Sequence, residues 1–154
     1  MSAPQPDGDT TVVTNRKARH DYHVLESIEA GLVLTGTEVK SLRQRRANLT
    51  DGYARLDGGE MWLHGMHVSP YEQGSYANVD PVRKRKLLLH RDEIRRLAGK
   101  VRDKGMTLIP LRVYFRKNRA KVELGVCRGK KSYDKREDIA RRETERDIRR
   151  TYAR

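Results

Sequence analysis

MTLIPLRVYFRKNRAKVELGVC, residues 106–127, decides the fold class. Ile109, Leu111, Val113 and Phe115 share one parity, and Pro110, Arg112 and Tyr114 take the other. Val122, Leu124 and Val126 alternate in the same way with Lys121, Glu123 and Gly125. Successive side chains on a strand point to opposite faces, so both runs predict strands with one dry and one wet face. RKNR (Arg116 to Arg119) between them is a short polar turn, and the whole is a β-hairpin.

Working outward, Tyr53 to Leu56 and Glu60 to Val68 flank Asp57-Gly58-Gly59 and predict a second hairpin. Tyr22 to Leu34 reads as a long strand, bent or bulged near Gly31. Helices fit between these. Thr35-x-x-Glu38 is a capping-box pattern ahead of Val39 and Leu42, predicting a short helix from Gly36 to about Arg45. Ile94, Leu97, Ala98 and Val101 form a helical stripe within His90 to Lys104, which Gly105 ends. The expected fold is mainly β with α: an OB-like small closed β-barrel with two or three flanking helices and a basic C-terminal tail.

The chain has 154 residues and a net charge of +13, from 34 Lys and Arg against 21 Asp and Glu. That is room for one ordinary domain. Residues 1–14 hold only Asp7 and Asp9 as charges, with small polar residues and two prolines, and read as a disordered lead-in. Residues 15–128 carry 24 basic and 13 acidic residues, nearly all the apolar ones, and the expected barrel. Residues 129–154 carry 10 basic and 6 acidic residues and form the tail. Ile139 and Ile148 lie about 180° apart around a helix, and favourable i,i+4 pairs such as Glu145 with Arg149 are offset by pairs such as Arg142 with Arg146. With no apolar face to anchor it, the tail is expected to be disordered when free and helical on a polyanion.

The longest apolar runs are far short of a membrane span, and the N-terminus MSAPQPDGDT lacks the apolar core of a secretory signal. A cytoplasmic protein with no membrane partner is expected. Cys127 is the lone cysteine, so it reads as a structural thiol. His64 and His67 fall on opposite faces of a strand, so no metal site is expected. There is no nucleotide-binding glycine loop, no nucleophile elbow and no paired carboxylates, so neither a cofactor nor catalysis is expected. Phosphate-rich nucleic acid is the default partner of such a basic chain. The basic runs are Arg16-Lys17-Ala18-Arg19, Lys40 with Arg43, Arg45 and Arg46, and Arg83 to Lys86. Tyr22, Tyr53, Tyr71 and Tyr76 are interleaved as stacking candidates. Any one run also reads as a solvated face.

NRKARHDY (Asn15 to Tyr22), EAGLVLTGTEVKSLR (Glu29 to Arg43), RKLLLHRDEI (Arg85 to Ile94) and GKKSYDKR (Gly129 to Arg136) together resemble the small protein B family, the SsrA-binding proteins of bacteria. The resemblance runs from Asn15 to the end of the chain. It implies an OB-type barrel that binds the tRNA-like domain of transfer-messenger RNA (tmRNA) and delivers it to the vacant A site of stalled ribosomes. There the nascent chain is tagged for proteolysis. Carried over by position, it implies tmRNA contacts at Asn15, Arg16, Lys17, Arg19, Glu29, Lys40, Arg43, Lys86 and Leu88. It also implies contacts of the tail with decoding-centre RNA and the mRNA channel, beginning at Gly129, Lys130, Lys131, Tyr133, Asp134, Lys135 and Arg136. Tyr133 departs from relatives that have His there, keeping an aromatic face without a titratable charge. A monomer acting on tmRNA and the ribosome is expected. The alternative is another OB-type RNA-binding protein of the translation apparatus.

Overall fold

The computed structural model describes residues 9–130 and 132–152. In chain order the elements are β1 (Thr10–Thr14), α1 (Arg16–Asp21), β2 (Tyr22–Leu32), α2 (Gly36–Arg43), β3 (Ala47–Asn48), β4 (Tyr53–Asp57), β5 (Glu60–His64), β6 (His67–Val68), a 3-10 turn (Glu72–Ala77), β7 (Arg85–Leu88), α3 (Arg91–Val101), β8 (Met106–Arg116), β9 (Arg119–Gly129) and α4 (Ser132–Tyr152). The main sheet has the order β1-β8-β4-β5-β7-β2-β9, all antiparallel, and β8 also pairs with β9. The pairing thus passes from β8 through β4, β5, β7, β2 and β9 and returns to β8. One buried cluster takes a residue from each of these strands: Leu108, Ala54, Leu63, Leu87, Ala30 and Leu124. Leu42 of α2 and Leu97 of α3 join the cluster and are fully buried.

The β8–β9 hairpin is longer than expected at both ends. Its turn places Lys117 (φ 50°) and Asn118 (φ 64°) in the left-handed region. A two-residue turn of this mirror-image type matches the strands' right-handed twist. The capping box forms as expected: the Thr35 hydroxyl accepts from the Glu38 N–H, and the Thr35 N–H donates to Glu38 Oε1. The helix of the apolar stripe spans Arg91–Val101, and Gly105 follows at φ 83°.

Several expectations are corrected. Ile109, Leu111, Val113 and Phe115 do not share a face, because the β8–β9 register shifts between Pro110 and Arg112. The bulge sends Leu108, Val113 and Phe115 into the main core. Ile109 and Leu111 instead face a second cluster with Ala18, Cys127 and Tyr22. The face expected to be wet at this end is therefore covered by α1. Gly125 makes room for the bulge, since a Cβ there would sit 2.9 Å from Leu111 Cδ1. Cys127 is fully buried, and burial pushes its thiol pKa up to about 11.

Thr10–Thr14 is not disordered lead-in. It pairs with β8, and Val12 enters the core. Residues 1–8 of the expected lead-in lie outside the described residues. The bend in β2 is a bulge between Val24 and Glu26 rather than near Gly31, which instead faces Leu88 Cβ closely. The second hairpin's outgoing strand is split: β5 ends at His64, and β6 pairs separately with β3. The body also extends past Arg128. Gly129 pairs with Tyr22, and the Lys130 N–H donates to the Asp21 carbonyl at 2.8 Å. The tail backbone is helical in α4, with Ile139 and Ile148 both exposed.

Candidate nucleic-acid interface

The candidate residues fall into two groups along β2 and its partner β9, one towards the β8–β9 turn and the other at the open end of that hairpin. Gly31 lies opposite Lys121 towards the turn, and Tyr22 opposite Gly129 at the open end. At strand rise these positions are about 25 Å apart.

Towards the turn, Glu29, Gly31, Leu88 and Lys121 line an open cleft of about 540 Å³ with Ile28 and His90. Leu88 is 53% exposed, because the even positions of β7 face outward while Arg85 and Leu87 face the core. Glu29 is directly opposite Glu123. Each of these carboxylates has its own arginine: Arg116 Nη1 lies 2.6 Å from Glu29 Oε2, and Arg112 Nε donates to Glu123 Oε2 at 2.6 Å. The Tyr114 ring lies beneath both guanidinium groups, at 4.1 Å from Arg112 Cζ and 5.6 Å from Arg116 Cζ. Its hydroxyl donates to Glu29 Oε2. Burial first, and the adjoining Glu29 carboxylate second, push the Tyr114 pKa far above its usual value. Beside this group, the Arg43 guanidinium covers the Phe115 ring at 4.3 Å. Arg43, Arg45 and Lys117 line a second cleft of about 400 Å³. Lys40, on the same helix as Arg43, lies 5.4 Å from the Tyr71 ring.

At the open end, Arg16, Lys17 and Arg19 project from α1 and are exposed. Asn15 does not join them. It is 4% exposed and caps α1, its Nδ2 donating to the Leu49 and Pro110 carbonyls while Oδ1 accepts from the Ala18 N–H. Asn15 therefore fixes the helix that displays the cations. The tail begins beside them. Lys130 Nζ donates to the Arg19 carbonyl at 3.0 Å, and Lys135 Nζ lies 3.3 Å from Asp21 Oδ1. His20 Nδ1 is 2.8 Å from the same Asp21 oxygen. That hydrogen bond is the largest influence on Asp21, and with Lys135 it lowers the carboxyl pKa against the opposing effect of burial. Gly129 ends β9, and Arg136 is exposed on α4. Tyr133 and Asp134 lie in the first turn of α4, their side chains outside the described set, and Lys131 is outside it altogether.

The basic run at Arg83 to Lys86 divides by parity. Lys84 covers the Trp62 ring at 4.5 Å, and Lys86 Nζ donates to Glu60 at 3.0 Å, both on the outer face. Arg83 and Arg85 turn inward to Glu38. Arg85 is fully buried: its Nε donates to Glu38 Oε2, Nη1 to the Met66 and Arg83 carbonyls and Nη2 to the Pro81 carbonyl, with Nη2 also 2.6 Å from Glu38 Oε2. Burial would raise the Glu38 pKa, but the Arg83 hydrogen bond, the Thr35 N–H and the Arg85 charge outweigh it and hold the carboxyl below its usual range. Arg85 thus belongs to the interior of the body, while Arg83, partly exposed, is held on the same carboxylate.

Lys121, Arg116, Tyr114, Arg112 and Asp9 escaped the sequence reading as site residues. The alternation did place Arg112, Tyr114, Lys121 and Glu123 off the dry face, but nothing local shows that Glu29, some 85 residues before Tyr114, shares it.

The SmpB protein family model matches residues 12–154. The SsrA-binding protein of Desulforudis audaxviator (strain MP104C) is 64% identical over 140 residues, covering 91% of this chain and 92% of that protein. The SsrA-binding protein of Salinispora tropica is 56% identical over 151 residues, covering 98% and 95%. A solved chain from the structure "tmRNA-SmpB: a journey to the center of the bacterial ribosome" matches with a TM-score of 0.67 and 58% identity, covering 78% of this chain and 85% of that one.

Proposed function

The chain belongs to the SmpB family, and from that premise we propose a division of labour between the two ends of the β8–β9 hairpin. The protein binds tmRNA and acts in trans-translation on the ribosome. In this proposal the cleft of Glu29, Leu88 and Lys121, with Arg43 beside it, holds the tRNA-like domain. The resemblance implies tmRNA contacts for Arg16, Lys17 and Arg19, but because they lie at the open end beside the root of the tail, the proposal assigns them, with the tail, to the decoding-centre RNA and the vacant mRNA channel. Held in this way, tmRNA reaches the empty A site of a stalled ribosome, translation resumes on its reading frame, and the nascent chain is tagged for proteolysis.

The observation that carries the reading is the separation of these two groups along the paired strands β2 and β9, with the tail rooted on α1 through Lys130 and Asp21. One RNA then engages each end without displacing the other. Reading the body as a closed OB-like barrel is supported by the return of strand pairing to β8. The tail is read as disordered in the free chain and as the helix α4 on RNA, because its isoleucines are exposed and its charge pairs nearly cancel. RNA phosphates supply the counter-charge that orders it. The protein is read as a cytoplasmic, monomeric adaptor that uses no metal or cofactor and performs no catalysis of its own.

Recovery of cellular RNA bound to the protein from a bacterial lysate tests the proposal. Enrichment of tmRNA over ribosomal RNA is expected. Ribosomal RNA recovered without tmRNA would instead place the chain with RNA-binding components of the translation apparatus.

A further inference from the structure

The two oxygens of Glu29 stand in different circumstances. Oε2 accepts from the Tyr114 hydroxyl and lies 2.6 Å from Arg116 Nη1 in an ion pair, whereas Oε1 has no hydrogen bond among the described residues. Arg116 is itself held: its Nε and Nη2 donate to the two oxygens of Asp9 at 2.6 and 2.8 Å, and Asp9 is 1% exposed. Tyr114 is buried beneath Arg112 and Arg116. A partly exposed glutamate ordinarily samples several rotamers, and ordering it opposes binding. Here that freedom is already restricted, and Arg116, shared between Asp9 and Glu29, lies against the carboxylate that RNA phosphates would repel.

We propose that Asp9, Arg116 and Tyr114 are positioning residues that hold Glu29 so that Oε1 accepts from a single hydrogen-bond donor of the RNA in the Glu29–Leu88–Lys121 cleft. The inference rests on the reading that this cleft takes the tRNA-like domain. An unmodified phosphodiester oxygen carries no hydrogen, so the donor is a ribose 2′-hydroxyl or a base N–H, amino or imino. Lys121, across the strands from Gly31, is placed for the phosphate that accompanies it. Phosphate contacts would supply affinity and Glu29 the discrimination.

The test is a set of equilibrium titrations of the full chain with a transcript of the tRNA-like domain. Glu29→Gln should weaken binding about tenfold or more, and Tyr114→Phe about three- to tenfold, at unchanged melting temperature for Glu29→Gln. The double variant should bind no more weakly than Glu29→Gln alone, because Tyr114 acts through Glu29. Arg116→Lys keeps the charge but loses the fork on Asp9, and should resemble Tyr114→Phe. An additive double variant, or full affinity in Tyr114→Phe, would overturn the positioning role. Full affinity in Glu29→Gln would overturn the reading of the cleft itself. Transcripts with 2′-deoxy sugars, or with base analogues that lack one N–H donor (inosine or 1-methylguanosine for guanosine, purine riboside for adenosine, 4-deaminated cytidine, 3-methyluridine), identify the donor: one of these should make Glu29→Gln silent. If none does, the single-donor proposal fails.

Discussion

Glu38 and Arg85 form an ion pair inside the body: Arg85 is fully buried, and its Nε donates to Glu38 Oε2 at 2.7 Å. Glu38 also closes the N-terminus of α2, so one carboxylate organises a helix end and the start of β7. Glu38→Gln would leave the Arg85 charge buried without its counter-charge. A loss of about 3–5 kcal/mol in denaturant-unfolding stability is expected.

The same pair sets a pH dependence. The folded carboxyl lies below the unfolded value of 4.5, so its stabilisation is complete above that pH and is lost as pH falls through the lower folded value. Unfolding titrations of the native chain should therefore show stability dropping below about pH 4.5, with a shallower drop in Glu38→Gln.

Asp21 joins the body to the tail through Lys135 and, by its carbonyl, Lys130. Asp21→Asn keeps the backbone contact and removes the charge on which His20 and Lys135 converge. Tagging in a reconstituted translation assay should fall several-fold while affinity for the tRNA-like domain stays within about twofold, since the Glu29 cleft is about 25 Å away. Equal loss of both would show that α1 and the cleft do not act separately.

Arg16, Lys17 and Arg19 are exposed on a helix fixed by Asn15. Replacing all three with Gln should weaken binding of the tmRNA complex to the ribosome while affinity for the tRNA-like domain stays within about twofold. It should also flatten the slope of log affinity against log salt by about 2 to 3, the release expected for three phosphate contacts. An unchanged slope would remove α1 from the interface.

Much of this was legible in the sequence, for reasons that differ by element. The β8–β9 hairpin and α3 announce themselves because their apolar periods are strong and local. The α2 capping box is a short-range pattern, and it forms as read. The bulge at Leu111 was hidden, because a parity pattern continues through a bulge unless the partner strand's register is known. β1 was hidden because its two valines sit among polar residues, and only the edge of β8 gives them a core. At the site, the resemblance supplied Glu29, Leu88 and Arg43, but which charges face inward is a tertiary property. Arg83 and Arg85 look like neighbouring RNA-binding cations until Glu38, some 47 residues earlier, is placed against them. Asn15 likewise reads as a polar contact until its amide is found on the Leu49 and Pro110 carbonyls.

The measurement that bears most directly on the division of labour is the affinity of a chain ending at Lys130 for the tRNA-like domain of tmRNA. The cut spares the pairing of Gly129 with Tyr22 and the hydrogen bond from Lys130 to Asp21. The account predicts affinity within about threefold of the full chain, a change under ~1 kcal/mol, together with complete loss of tagging. A loss of affinity of a hundredfold or more, with the shortened chain still folded, would contradict it.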